Sequence, residues 1–168
     1  MINIGFLLDG FIGGGTARVT SIIANNLGKD EAFRCYALAY TRNGKPDIYP
    51  TFFPVKYVYE HKISMRNAIL KHQYLRTVKK FVKDNDINVL VACGVQFYPV
   101  VTLIAKLLGI KSVCWEHINP TTKNDFKFQD HCRVIGAYTS DCNVVLTKSA
   151  LEIYNKRFKS KRNIQIYN

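Results

Sequence analysis

Two stretches of this sequence carry residue types whose spacing suits chemistry. The first is Asp9-Gly10-Phe11-Ile12-Gly13-Gly14-Gly15-Thr16-Ala17-Arg18, set between an apolar run, Ile2 to Leu8, and a segment of helical apolar periodicity. Three consecutive glycines leave the backbone bare. Its N–H groups can then approach a bulky anion while the following helix adds its positive N-terminal end. A phosphate suits such a place. A plain strand-to-helix connection at positive φ ordinarily needs one glycine. The second stretch is Glu116-His117-Ile118-Asn119-Pro120-Thr121-Thr122-Lys123, which offers a carboxylate, an imidazole, an amide, two hydroxyls and an ammonium within eight residues. His117 leads it, because an imidazole donates to a sugar hydroxyl or a phosphate and changes charge near neutral pH. The alternative is a hydrogen-bonded loop histidine. Asn119, Lys123 and Glu116 join it as candidates for holding a polar ligand, as does Tyr98 from the turn Cys93 to Tyr98; Glu116 is alternatively a structural carboxylate.

Both stretches need rigid elements to aim them. Ile2 to Leu8 suits a central parallel strand buried on both faces. Thr16 to Leu27 reads as the next helix, with Val19, Ile22, Ile23 and Leu27 on one face and Gly28 as its C-cap. Phe33 to Tyr40 supplies a second strand, Thr41 to Pro54 a loop rich in turn residues, and Val55 to Tyr59 a short third strand. From Lys62 to Lys83 the pattern is helical: Ile63, Asn67, Leu70, Tyr74, Val78 and Phe81 recur on one face, opposite Lys62, Arg66, Gln73, Arg76, Lys80 and Lys83. Asn88 to Cys93, Ile110 to Trp115 and Asn143 to Leu146 are further strands. Pro99 to Leu108, Asp125 to Tyr138 and a segment opened by Thr147 are helices, and Ile164 to Tyr167 is a strand-like tail. This alternation implies α/β architecture: one Rossmann-like parallel sheet with helices on both faces, a single domain over residues 1–168. In such a sheet ligands bind outside the carboxyl ends of the strands, where the two polar stretches are expected to converge.

Charge narrows the partners. The formal net charge is +12, from 24 Lys and Arg against 12 Asp and Glu, which points to nucleic acid, a membrane surface or a phosphorylated substrate. Eight basic residues and one acid lie between Lys56 and Lys83. Among them Arg76, Lys79, Lys80 and Lys83 are candidates for contact with an anionic membrane; the alternative is an ordinary helix whose apolar stripe faces the core. No stretch is long enough to span a bilayer, and the N-terminus enters a strand without a charged leader, so a cytoplasmic location is expected. The five cysteines form no Cys-x-x-Cys pair, which argues against a disulfide framework. Cys114, His117, His131 and Cys132 offer metal-ligand types in unsuitable positions, and no metal or other cofactor is expected. There is no Gly-x-Ser-x-Gly elbow, which disfavours that class of hydrolase. Arg18 stands where a dinucleotide fingerprint needs its third glycine, and no acid ends the second strand, which disfavours a dehydrogenase.

Three segments together resemble the retaining glycosyltransferases of the two-domain GT-B type, family 4: Gly13-Gly14-Gly15-Thr16-Ala17-Arg18-Val19, Trp115-Glu116-His117, and Asp141-Cys142-Asn143-Val144-Val145-Leu146-Thr147-Lys148-Ser149. The resemblance implies the N-terminal, acceptor-binding half of such an enzyme, acting in bacterial surface polysaccharide synthesis. It implies that Gly14 and Gly15 approach the diphosphate of a nucleotide sugar, that Arg18 assists, and that His117 lies beside the transferred sugar. The implied partners are a nucleotide-diphosphate sugar, a glycan or lipid-linked acceptor, a C-terminal donor-binding domain and an anionic membrane, and the fragment is expected to be inactive alone. Self-association through the uncovered interdomain face is a further expectation. A non-catalytic module for a phosphorylated glycan, lipid or nucleic acid is the alternative, with nucleic acid ranked last for want of a recognised fold pattern.

Overall fold

The computed structural model describes residues 1–61, 72–122, 128–158, 160 and 162–167. Its strands are β1 (Ile2–Leu8), β2 (Phe33–Thr41), β3 (Val55–Tyr59), β4 (Val89–Cys93), β5 (Lys111–Glu116), β6 (Cys142–Val145) and β7 (Asn163–Gln165). Its helices are α1 (Gly15–Leu27), α2 (Gln73–Asp84), α3 (Tyr98–Leu108), α4 (Gln129–Thr139) and α5 (Lys148–Lys156), with a 3-10 turn at Val95–Phe97. The strands follow the order β3-β2-β1-β4-β5-β6-β7 in a seven-stranded sheet. β1 with β2, β2 with β3, β5 with β6 and β6 with β7 all pair parallel, so the chain is α/β and Rossmann-like. It divides into two compact units, Met1–Leu90 and Val91–Asn168.

In the first unit β1 is buried from Ile4 to Leu8 and sits in register with β2, Ile2 opposite Phe33 and Leu8 opposite Ala39. Asn3 is the exception to its apolar character, and its amide ties the unit together. Its Nδ2 donates to the carbonyls of Asn85 (2.9 Å) and Asp86 (3.2 Å), and its backbone N–H to Asn88 Oδ1 (2.8 Å). α2 then lays Tyr74, Val78, Phe81 and Val82 into the core, with Phe81 Cε1 only 3.0 Å from where a Cβ on Gly5 would stand. The apolar stripe expected on this helix is therefore core-facing over its described part; residues 62–71 lie outside the described residues.

α1 corrects one expectation. Its buried residues are Ala17, Thr20, Ser21 and Ala24, whereas Ile22 is 49% exposed and Val19, Ile23 and Leu27 are half-buried. The helix turns its small side chains inward because it packs closely: Ser21 Oγ donates to the Pro50 carbonyl at 2.5 Å, and Asn25 Nδ2 donates to the same oxygen at 2.9 Å. A larger side chain on that face would hold the Thr41–Pro54 loop away. Gly28 caps this helix in ordinary right-handed geometry, while Gly109 ends α3 at φ 69°, where glycine is favoured.

The second unit is organised by a buried carboxylate. β5 runs one residue further than its apolar pattern suggests, so Glu116 is a strand residue, 2% exposed, and not the start of the loop. Its carboxylate accepts from Arg133 Nε (2.8 Å) of α4 and from the Tyr154 hydroxyl (3.0 Å) of α5, and Oε1 accepts from the Ile118 N–H (3.3 Å). Arg133 also reaches Asp130 (3.2 Å), whose second oxygen accepts from Arg157 at 2.6 Å. One charge thus ties the end of a strand to two helices. Beneath it Ala137, Val145, Ala150, Tyr154 and Phe158 form an apolar cluster.

Removing one member of a buried ion pair strands the other, at a cost of about 3–5 kcal/mol. That loss is expected for Glu116→Ala. Combining Glu116→Leu with Arg133→Met should restore most of it, because neither charge then needs a partner. Urea unfolding followed through Trp115 measures both, and an equal loss in the double variant would exclude the pair as its source.

Candidate functional site

In the first unit the candidate site is the turn between β1 and α1. Gly13 lies at φ 141° and Gly14 at φ 90°, both in the region that favours glycine, and a Cβ on Gly14 or Gly15 would meet nothing within 4 Å. Gly14 caps α1 without a side chain, no acid occupies the first helical turn, and the Arg18 N–H makes the first helical bond, to the Gly14 carbonyl at 3.2 Å. The opening N–H groups of the helix therefore face outward with its positive end. Gly14, Gly15 and Arg18 are all exposed, and the structure brings these three together on one turn. The arrangement can receive an anion through backbone alone, with Arg18 one helical turn away.

The start of that turn is held by residues that sequence spacing does not reveal. The Phe11 N–H donates to the Tyr57 hydroxyl at 3.1 Å, and the Phe11 carbonyl accepts from Ile48 N–H at 2.9 Å. The Tyr57 hydroxyl donates to Asp47, and burial together with that bond pushes the phenol up to about 12. The residues lie 46 positions apart, so only the sheet register of β2 and β3 could have signalled the contact.

In the second unit Glu116, His117, Ile118 and Asn119 line a cleft of about 70 Å³ with Leu146, Thr147 and Ala150. Thr147 caps α5, its hydroxyl accepting from the Ala150 N–H at 3.1 Å. His117 packs against Trp115, the ring centroids 4.4 Å apart. Its Nε2 is buried and has no hydrogen-bond partner among the described residues. Burial also pushes its pKa down to about 4, so the ring is neutral at pH 7. A neutral imidazole offers one donor and one acceptor and suits a hydroxyl better than it suits charge pairing with phosphate.

Other candidates fall elsewhere. Glu116 touches the cleft, but its carboxylate is committed to Arg133 and Tyr154, which corrects its place among ligand-holding groups in favour of the structural role. Tyr98 is fully buried at the start of α3, beside Gly136, where a Cβ would come within 2.6 Å of its ring. It is part of the core and not of a binding surface, and burial next to Glu116 holds its phenol protonated. Asn119 is exposed, although its Oδ1 already accepts from Thr121 N–H and Oγ1, at 3.0 and 2.9 Å. Lys123 lies outside the described residues. Arg76, Lys79, Lys80 and Lys83 stand exposed on α2, and Lys80 pairs with Asp84 at 3.0 Å. All five cysteines are free, and burial raises the Cys35 and Cys132 thiols to about 11. Among the described residues no group of three or more His, Cys, Asp or Glu is placed to hold a metal ion.

No protein-family model matches the sequence, and no curated protein sequence matches it. Solved structures do. The apo lipopolysaccharide outer core galactosyltransferase WaaB aligns with a TM-score of 0.75 and 12% identity, over 99% of this chain and 46% of that one. Anabaena HepE in complex with UDP and glucose aligns at 0.67 and 12%, over 100% and 45%. S. aureus MnaA in complex with UDP aligns at 0.66 and 11%, over 98% and 43%. The chain thus spans less than half the length of each. At these identities the likeness shows the fold, that of GT-B glycosyltransferases.

Because the folded chain holds His117 neutral, the unfolded chain binds an extra proton between pH 6.5 and about 4. Stability from this group is complete above that window and is lost as pH falls through it, to the extent of about 3 kcal/mol. His117→Gln should remove this part of the acid sensitivity. Denaturant midpoints across the window test it, and parallel profiles for the two proteins would contradict a buried neutral His117.

Proposed function

We propose that this chain is the acceptor-side half of a glycosyltransferase that moves a sugar from a nucleotide-diphosphate donor to a glycan or lipid-linked acceptor. The observation that carries the reading is the bare turn Gly13–Gly15: two glycines at positive φ, open space at Gly14 and Gly15, and the uncapped start of α1 behind them. Its support from outside the chain is the likeness to WaaB and to two proteins solved with UDP. In this reading the turn amides and Arg18 stabilise the charge that develops on the departing diphosphate, and His117 hydrogen-bonds a hydroxyl of the transferred sugar. Transfer is with retention, no cofactor beyond the donor is needed, and a second, donor-binding domain supplies most contacts to the nucleotide.

The chain alone is expected to bind UDP weakly and to transfer no sugar at a useful rate. UDP titration followed by amide NMR should move Gly14, Gly15 and Arg18 first. Absence of any response at the turn would remove the donor-phosphate role, and turnover of a nucleotide sugar by the chain alone would remove the half-enzyme role.

We further propose that the enzyme works at the cytoplasmic face of an anionic membrane, which α2 meets through its basic face. Its apolar face is occupied by the core, so the attraction is electrostatic and not insertion. Changing Arg76, Lys79, Lys80 and Lys83 together to Gln should weaken binding to phosphatidylglycerol vesicles by on the order of a hundredfold or more at moderate salt. Sedimentation with such vesicles decides it, unchanged binding excluding α2.

A further inference from the structure

Two successive glycines at positive φ cannot fix their own course, so whatever aims the turn must act from outside it. Three hydrogen bonds do so among the described residues. The Asp9 carbonyl accepts from Thr41 N–H at 2.9 Å, the Phe11 carbonyl accepts from Ile48 N–H at 2.9 Å, and the Phe11 N–H donates to Tyr57 at 3.1 Å. Two of these partners are backbone; Tyr57 is the side chain.

Its hydroxyl is used in both directions, as acceptor from Phe11 and as donor to Asp47. Its ring lies beneath the Arg42 guanidinium, 4.4 Å from carbon to centroid, and Arg42 Nη2 stands 3.8 Å from Asp47. Acid, base and phenol therefore restrain one another at the end of the loop. Gly10 lets the chain pass this cluster: a Cβ there would stand 2.6 Å from the Thr41 carbonyl and 3.4 Å from Tyr57 Cε1. Phe11 itself is fully buried against Phe53, so the bond to its N–H is held in a rigid setting from both sides.

We propose that Tyr57, aimed by Asp47 and Arg42, is a positioning residue that sets the course of the glycine turn and so aims the amides of Gly14 and Gly15. This rests on the reading of that turn as the donor-phosphate site. Tyr57 touches no ligand; it acts through Phe11. Asp47 and the loop that carries it are then part of the same device, and loss of any one contact loosens the turn without unfolding the unit.

The test uses the 168-residue chain with UDP as probe, and compares Tyr57→Phe with Tyr59→Phe, the same chemical change two residues along β3. In Tyr57→Phe the Phe11 amide should exchange with solvent several-fold faster, and the Gly13–Gly15 amide resonances should shift without ligand. UDP affinity should fall about three- to tenfold in Tyr57→Phe, as loss of the hydrogen bond to Phe11 implies, and stay unchanged in Tyr59→Phe, whose hydroxyl has no hydrogen-bond partner among the described residues, while both variants keep a cooperative urea transition. Asp47→Ala, at an exposed position, should reproduce the effect, and Asp47→Asn, which keeps an acceptor for the phenol, should stay near wild type. Unchanged Phe11 exchange and unchanged turn resonances in Tyr57→Phe overturn the proposal, as does an equal UDP affinity in the two proteins. If Phe11 exchange rises but UDP moves no turn amide even in the wild type, Tyr57 keeps its hold on the turn and the donor-phosphate reading is what fails.

Discussion

Between Asp9 and Gly15 the backbone must bend into a helix at φ values of 141° and 90°, and it does so with hydrogen in place of side chains. That constraint explains much of the first unit. A glycine turn has no packing of its own, so its order comes from the strands and loop around it. β2 ends in a bond to Asp9, the Thr41–Pro54 loop sends Ile48 to Phe11, and β3 sends Tyr57. α1 turns its small residues toward the same loop, which is why the Pro50 carbonyl can accept from both Ser21 and Asn25. The support thus falls on Asp9 and Phe11, just before the three glycines, of which Gly14 and Gly15 stand in open space.

The second unit solves a different problem. A carboxylate has been placed at the end of a strand, where its desolvation would cost several kcal/mol if unpaired. Arg133 from α4 and Tyr154 from α5 satisfy it, and the Ile118 N–H adds a contact from the loop that carries His117. His117 is thereby held just past a rigid anchor, in a cleft that also contains the capped start of α5. Its own Nε2 is left without a partner among the described residues. Such a pattern, satisfied anchor beside unsatisfied neighbour, is how a structural charge and a candidate ligand-binding group are told apart although they are consecutive in sequence.

What could be read from the sequence follows from these physics. The strand Val55–Tyr59 was legible to the residue, because proline and glycine punctuation bounded it on one side and a charged segment on the other. The turn was legible because consecutive glycines have few other uses. Glu116 was harder: the apolar pattern stops one residue short of it, its partners lie 17 and 38 residues away, and no local pattern announces a buried ion pair. Tyr98 was misplaced for a related reason. Its position after a strand suggested a cleft, yet the missing Cβ of Gly136 opens a slot that draws the ring into the core. In α1 the largest apolar residues pointed to the wrong face, since close packing against backbone favours small residues over hydrophobic ones. Tyr57 gave no signal at all, being an ordinary strand aromatic until the register of β2 and β3 sets it opposite Ala39, from where its hydroxyl reaches the Phe11 N–H.

The same distinction bears on the excess of positive charge. Several basic residues are consumed within the chain: Arg133 and Arg157 by Asp130 and Glu116, Arg42 by Asp47 and Tyr57, Lys111 by Asp141, Lys80 by Asp84. The pairs of Arg133 and Arg42 hold a strand end and a loop in place, whereas Lys80–Asp84 and Lys111–Asp141 are exposed pairs that offset only part of the outward field. The field that remains comes from residues such as Arg18 at the turn and Arg76, Lys79 and Lys83 on α2, all exposed. Exposed charges of this kind stabilise little, because solvent screens them, and act mainly by raising the local concentration of anions. Net charge alone therefore overstates what is available for an anionic partner. The burial of the α2 apolar face limits it further, since a surface that cannot insert holds its partner through a term that salt weakens.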